Sequence, residues 1–178
     1  MPDAATPDIA PLAVTAADLH LPTQPFSAAG LHLELVPAQA RYSLRARDAG
    51  LLAATIGRAL PDRIGDTLDG VIKLGPDEWL ALLPAGATLP LGEGLPVSVV
   101  DVSARAVGFT ITGPGAAALI ATGCPLDVER MAPGRATRTL FETVEIVLWR
   151  QSETAFRVDC WRSFAPWLWA ALVAGAQG

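Results

Sequence analysis

Apolar and polar residues alternate through Leu31-His32-Leu33-Glu34-Leu35-Val36 and again through Arg41-Tyr42-Ser43-Leu44-Arg45-Ala46. A period of two is what a half-buried strand requires, so both segments are predicted as strands. Asp48 then caps a predicted helix whose apolar positions Leu52, Ile56 and Leu60 recur every four residues until Pro61 stops it. Gly70-Val71-Ile72-Lys73-Leu74 and Trp79-Leu80-Ala81-Leu82-Leu83 flank Gly75-Pro76-Asp77-Glu78, a hairpin signal. Beyond a Pro/Gly-rich linker from Pro84 to Pro96 the order recurs. Strands are predicted at Val97–Val102 and Ala106–Ile111, and a helix is predicted to open at Gly113-Pro114, with Pro in its first position, and to close at Gly123. A second hairpin joins Thr143–Trp149 to Ala155–Cys160 through Arg150-Gln151-Ser152-Glu153-Thr154.

The repeated order predicts an α+β chain of two pseudo-symmetric strand–helix–hairpin units, about 31–84 and 97–178, each an antiparallel sheet with a covering helix. Both units fall within one α+β domain over residues 29–178. Residues 1–28 carry Pro2, Pro7, Pro11, Pro22 and Pro25 and no sustained period, which predicts an extended arm. Its apolar residues Leu12, Val14, Leu19, Leu21 and Phe26 suggest that the arm lies on something, a free tail being the alternative. A last helix follows Arg162, capped by Ser163. Its Trp167, Leu168, Trp169, Leu172 and Val173 fall on every side of the cylinder, and a helix apolar all round must be buried all round. At the end of a small domain that calls for a partner.

Composition sharpens this expectation. The 178 residues are 51% hydrophobic and 17% charged, with a formal net charge of −5, against about 25% charged residues in an ordinary soluble chain. A spanning helix needs about 20 consecutive apolar residues, and the longest candidate, Phe164–Ala176, is shorter. The acidic start Met1-Pro2-Asp3-Ala4 lacks the positive region of a secretory signal, which leads by elimination to a cytoplasmic location. The acidic balance disfavours nucleic acid. Two sources of the low polarity stay open, a surface kept for other chains and the Arg- and Ala-rich bias of a GC-rich genome.

No catalytic, cofactor-binding or metal site emerges from the residues. Only His20, His32, Cys124 and Cys160 offer N or S ligands, and none has a close metal-binding spacing. The two thiols read as buried hydrophobes rather than a disulfide or a nucleophile. Thr112-Gly113-Pro114-Gly115 matches neither a dinucleotide fingerprint nor a P-loop and reads as a capping turn. Asp101 is the carboxylate expected to be half-buried, either as an acid or as a partner of Arg105 or a turn cap. The tryptophans are more informative: Trp161, Trp167 and Trp169 lie in the last 18 residues, and interfaces enrich Trp and Arg. Trp161, Arg162, Trp167 and Trp169 are therefore the predicted partner-contact residues.

Seven segments then carry a resemblance. Leu74-Gly75-Pro76-Asp77-Glu78-Trp79-Leu80, Val100-Asp101-Val102-Ser103-Ala104-Arg105-Ala106-Val107-Gly108-Phe109, Thr112-Gly113-Pro114-Gly115-Ala116 with Gly123-Cys124-Pro125-Leu126-Asp127, Pro133-Gly134-Arg135-Ala136-Thr137-Arg138-Thr139-Leu140, and Phe156-Arg157-Val158-Asp159 with Arg162-Ser163-Phe164-Ala165-Pro166-Trp167-Leu168-Trp169 resemble, in order, the gamma subunit of heterotetrameric sarcosine oxidase. The strand–Gly-Pro-Gly–helix unit is also similar to a shortened folate-binding aminomethyltransferase (glycine-cleavage T protein) domain.

The resemblance implies a non-catalytic structural subunit of a complex that oxidatively demethylates sarcosine to glycine. It implies alpha and beta flavoprotein subunits and a small delta subunit as partners. FAD, FMN, NAD, folate and zinc are implied on those partners and no cofactor on this chain. The alternative is a stand-alone folate or one-carbon-binding module of the same fold. The related folate-dependent iron–sulfur maintenance family fits less well, because Thr122-Gly123-Cys124-Pro125-Leu126-Asp127 departs from its Lys-Gly-Cys-Tyr-x-Gly-Gln-Glu run.

Overall fold

The turn at Pro76-Asp77 closes as its residues dictate: strand β5 (Val71–Gly75) folds back on β6 (Glu78–Leu83), with Gly75 opposite Glu78. The computed structural model in which this is seen describes residues 20, 21 and 23–178. The predicted arm over residues 1–28 thus lies largely outside the described residues. Its last part, Phe26–Ala28, is strand β1, paired with β2 (Leu31–Leu35). The remaining strands are β3 (Ala40–Ala46), β4 (Thr67–Leu68), β7 (Val97–Asp101), β8 (Ala106–Thr112), β9 (Ala136–Phe141), β10 (Val144–Arg150) and β11 (Ala155–Trp161). The helices are α1 (Ala49–Ile56), α2 (Ala116–Ala121) and α3 (Ala165–Gln177).

The strands form a six-stranded sheet, β1-β2-β8-β11-β10-β9, and a five-stranded sheet, β4-β5-β6-β3-β7, with every pairing antiparallel. Three clusters of buried side chains order the layers. Leu52 and Ile56 of α1 meet Tyr42, Leu44 and Trp79 on one face of the five-stranded sheet. Ile120 of α2 and Leu168, Trp169 and Leu172 of α3 meet Phe109, Ile146 and Phe156 on one face of the six-stranded sheet. Between the sheets lies a smaller cluster of Ile72, Leu82 and Ala136, flanked by Leu74, Leu80, Val147 and Trp149. The period-two alternation makes this possible, since Trp79 and Leu80 point to opposite layers.

One sheet does not, however, equal one half of the sequence. β2 leaves the first half to pair with β8, and β7 leaves the second half to pair with β3. The links explain the exchange. Val36 N–H still donates to Gly108 O at 2.8 Å, but Pro37 has no N–H to continue the ladder, so the chain crosses to the other sheet. On the return path, Val102 N–H donates to Arg41 O at 2.8 Å before the 3-10 turn Ser103–Arg105.

The helix boundaries also differ from the periodic pattern. Asp48 Oδ1 accepts from Leu51 N–H at 3.0 Å as a cap should, but α1 ends at Gly57 in the left-handed conformation, leaving Leu60 beyond the helix. α2 begins after Gly115, not at Pro114, and ends at Thr122. The reason lies at Gly113 (φ +123°), where a Cβ would overlap Gly30 O: the segment is committed to packing against the β1–β2 turn before it turns helical. Ser163 does not cap α3. It lies within the 3-10 turn Arg162–Phe164, and Phe164 occupies the capping position.

Candidate functional site

The ends of four strands meet at one end of the six-stranded sheet. Trp161 closes β11 opposite Ala106 at the start of β8, and Phe141 at the end of β9 faces Val144 at the start of β10. The 3-10 turn and α3 follow Trp161 directly, so the end of the chain is folded onto this edge. Trp161 is 51% exposed, Phe164 45% and Trp167 40%. Arg162 is exposed as well, and the Arg105 guanidinium lies 4.7 Å from the centre of the Trp161 ring. Trp167 meets Phe141 edge-on with ring centroids 6.5 Å apart.

Trp169 departs from the expectation. It is only 7% exposed and its ring centre lies 5.4 Å from that of Phe109, inside the core. At 3.6 residues per turn, Trp167 and Trp169 are roughly 200° apart, so one faces the sheet and the other faces away. α3 consequently has a buried stripe, Ala165, Leu168, Trp169, Leu172 and Ala176, and is not buried all round. Trp161, Arg162 and Trp167 remain at the surface, joined by Phe164, which sequence reading did not single out. Its spacing of three from Trp167 is the signal, since such pairs are neighbours on a helical surface.

Just inside this edge is a buried charge cluster that sequence reading also missed. Arg157 and Asp159 of β11 share a face because they are two apart, and Arg41 of β3 reaches them from the other sheet. Arg157 donates from Nε to Asp159 Oδ2 at 2.6 Å and from Nη2 to Oδ1 at 2.8 Å, and Arg41 Nε donates to Oδ1 at 3.2 Å. All three side chains are buried, so two cations share one carboxylate. Burial pushes the Arg41 guanidinium below its ordinary value, Asp159 opposes that shift, and Arg157 adds to it. Gly108 makes the room: a Cβ there would lie 2.9 Å from Asp159 Oδ1 and 3.2 Å from Val36 Cγ2. The sequence signal was available, two opposite charges at period two within an otherwise apolar strand.

Further ion pairs tie the sheets along the outer strand β9. Arg138 of β9 donates to both carboxylate oxygens of Glu78, at 2.6 and 3.2 Å, while Arg45 stands 3.2 Å from Oε2. The hydrogen bonds from Arg138, with its charge and that of Arg45, hold the Glu78 carboxyl below its usual value against the effect of burial. Arg135 pairs with Asp66 beside a shallow cleft of about 420 Å³ lined in part by Leu60, Asp62 and Gly134.

The remaining candidates have structural roles. Asp101 is exposed rather than half-buried, because β7 is an edge strand, and its Oδ1 accepts from Ser103 N–H at 2.7 Å as a turn cap. Cys124 and Cys160 are free and buried. Cys124 Sγ lies 3.9 Å from Thr139 Oγ1, and burial, with Asp159 nearby, pushes the Cys160 thiol up to about 12. Among the described residues no group of three or more His, Cys, Asp or Glu is placed to hold a metal ion, and no helix is long and apolar enough to cross a membrane.

Comparison with known proteins agrees with the resemblance read from the sequence. The chain is 35% identical over 120 residues to a protein named sarcosine oxidase subunit gamma from Arthrobacter sp., a match covering 60% of this chain and 59% of that one. It is 33% identical over 120 residues to the protein of the same name from Corynebacterium sp. (strain P-1), with the same coverage. The match thus spans about three-fifths of the length of these relatives. Its fold is similar to that of a chain in heterotetrameric sarcosine oxidase from Corynebacterium sp. U-96, solved with pyrrole 2-carboxylate (TM-score 0.75, 27% identity, 85% of this chain and 86% of that one). It is also similar to the glycine cleavage system aminomethyltransferase T of Bartonella henselae, with a TM-score of 0.64 and 16% identity over 82% of this chain and 46% of that one. That second likeness concerns the fold alone. No family model matches the chain.

Proposed function

We propose that this chain is a non-catalytic structural subunit of a heterotetrameric sarcosine oxidase, a complex that oxidatively demethylates sarcosine to glycine. The observation that carries the reading is the likeness in fold and sequence to a chain of that complex over most of both chains, together with the sarcosine oxidase gamma subunits it resembles in sequence. The exposed Trp161, Phe164 and Trp167 supply a surface suited to other subunits. Its partners in this reading are alpha and beta flavoprotein subunits and a small delta subunit. FAD, FMN, NAD, folate and zinc reside on those partners, and the complex works in the cytoplasm. This chain's own residues contribute surface and rigidity: the buried Arg41–Asp159–Arg157 cluster fixes one sheet against the other directly beneath the aromatic edge.

Two finer features belong to the same reading. The chain is one domain from residue 29 onward, and its halves are pseudo-symmetric. In support, the orders β5-β6-β3-β7 and β10-β11-β8-β2 set corresponding elements side by side, each sheet with one strand borrowed from the other half. The arm before β1 is proposed to reach a partner.

Affinity purification of the tagged chain from its native cell extract tests the proposal. The expected product is a yellow complex that forms hydrogen peroxide when sarcosine is added. A colourless preparation that binds a folate in calorimetry would favour the stand-alone module instead.

A further inference from the structure

The aromatic edge also carries two arginines of this acidic chain, which has 13 basic and 18 acidic residues. Arg105 ends the 3-10 turn before β8, and Arg162 follows Trp161 at the end of β11, so the register of these strands puts both beside the same tryptophan. Among the described residues neither forms an ion pair, as is also true of Arg47, Arg58 and Arg63, whereas Arg41, Arg45, Arg130, Arg135, Arg138, Arg150 and Arg157 all do. Behind them, Arg41 and Arg157 share the single carboxylate of Asp159, which leaves one uncompensated positive charge in a buried, weakly screened setting. The acidic groups at this end are otherwise Asp101, whose Oδ1 accepts from Ser103 N–H, Glu142 in the β9–β10 turn, and Glu145 of β10, which stands 3.7 Å from Arg138 Nε.

The stacking of Arg105 on Trp161 matters for what this surface can bind. A guanidinium lying on a ring keeps its N–H edge free, and that edge matches a carboxylate with paired hydrogen bonds. Trp161 itself, and Phe164 and Trp167 on the turn and helix that follow it, are exposed apolar side chains.

Building on the subunit reading, we propose that this surface receives an acidic segment of a partner subunit. Its carboxylates pair with Arg105 and Arg162, and an adjoining apolar side chain lies against Trp161, Phe164 and Trp167. This gives the interface a charge code as well as an apolar area, so that partner choice depends on the two arginines.

The sequence offers a direct test, because Lys73 is its only lysine. The full chain carrying Arg105→Lys and Arg162→Lys, co-expressed with its alpha and beta subunits, is treated with a carbodiimide, which joins a lysine amine to a touching carboxylate as an amide. Mass spectrometry is expected to find peptides joining position 105 or 162 to an Asp or Glu of a partner, absent from the wild-type complex. The chain with Arg105→Glu and Arg162→Glu is expected to recover about tenfold less partner than wild type. Partner recovery unchanged by the charge reversal, or cross-links confined to this chain's own carboxylates, would overturn the acidic-segment proposal alone. A wild-type chain that recovers no alpha or beta subunit would overturn the subunit reading and the proposal with it.

Discussion

Arg41 Nε and Asp159 Oδ1, 118 residues apart in sequence, lie 3.2 Å from one another and join the two sheets through a buried ion pair. Because Arg157 binds the same carboxylate, the members of the cluster are unequal. Asp159→Asn leaves two buried guanidiniums facing each other and is expected to cost about 3–5 kcal/mol of stability. Arg41→Met leaves the matched Arg157–Asp159 pair and is expected to cost less than half as much. Chemical denaturation of both variants measures the difference, and equal losses would contradict the charge asymmetry.

Gly108 is held to its size by the same cluster. Gly108→Ala places a Cβ 2.9 Å from Asp159 Oδ1, 3.1 Å from Arg157 Nη2 and 3.2 Å from Val36 Cγ2. The expected loss is about 1–3 kcal/mol. In an Asp159→Asn background the loss should shrink, which a double-mutant cycle reads directly.

The two tryptophans of α3 should separate folding from assembly. Trp169→Ala empties a core site against Phe109 and is expected to destabilise the chain by about 3–5 kcal/mol. Trp167→Ala removes only an edge contact with Phe141 from a residue 40% exposed, and should cost about 1 kcal/mol while weakening recovery of partner subunits. Thermal unfolding of the full chain, set beside co-purification yield, distinguishes them.

Acid should loosen the outer rim between the sheets. The Glu78 carboxyl titrates below its ordinary value, about 4.3, because of its hydrogen bonds to Arg138 and the charges of Arg138 and Arg45. With the folded value depressed, the stabilisation is present above the unfolded value and is lost as pH falls through the folded one. Wild type should therefore be more stable than Glu78→Gln at neutral pH, and the gap should close on acidification below about pH 4. A gap independent of pH would contradict the assignment.

Much of the fold could be read locally. The alternation in β2, β3 and β8 and the turn residues at Pro76-Asp77 and Ser152-Glu153 are written within a few residues, and those elements form where predicted. β9 was not foreseen, because Ala136-Thr137-Arg138-Thr139 places polar side chains on both faces and owes its pairing to β10. The exchange of β2 and β7 between sheets is non-local and follows from two short crossing links that no periodicity reveals. The same limit applies to the site. Trp161 and Trp167 were identifiable by residue type, but the placing of Trp169 inward depends on the 3-10 turn that sets the phase of α3. Arg41 and Asp159 were invisible as a pair because their proximity exists only once the sheets are stacked.

The claim that this chain holds an oxidase together without performing its chemistry is tested most directly by native mass spectrometry of the co-expressed complex, prepared with and without it. A four-subunit assembly with sarcosine-dependent peroxide formation is expected when the chain is present. Without it, a broken assembly should remain whose separated alpha and beta subunits retain their flavins. An assembly of unchanged partner composition and activity in its absence would contradict a structural role for the chain.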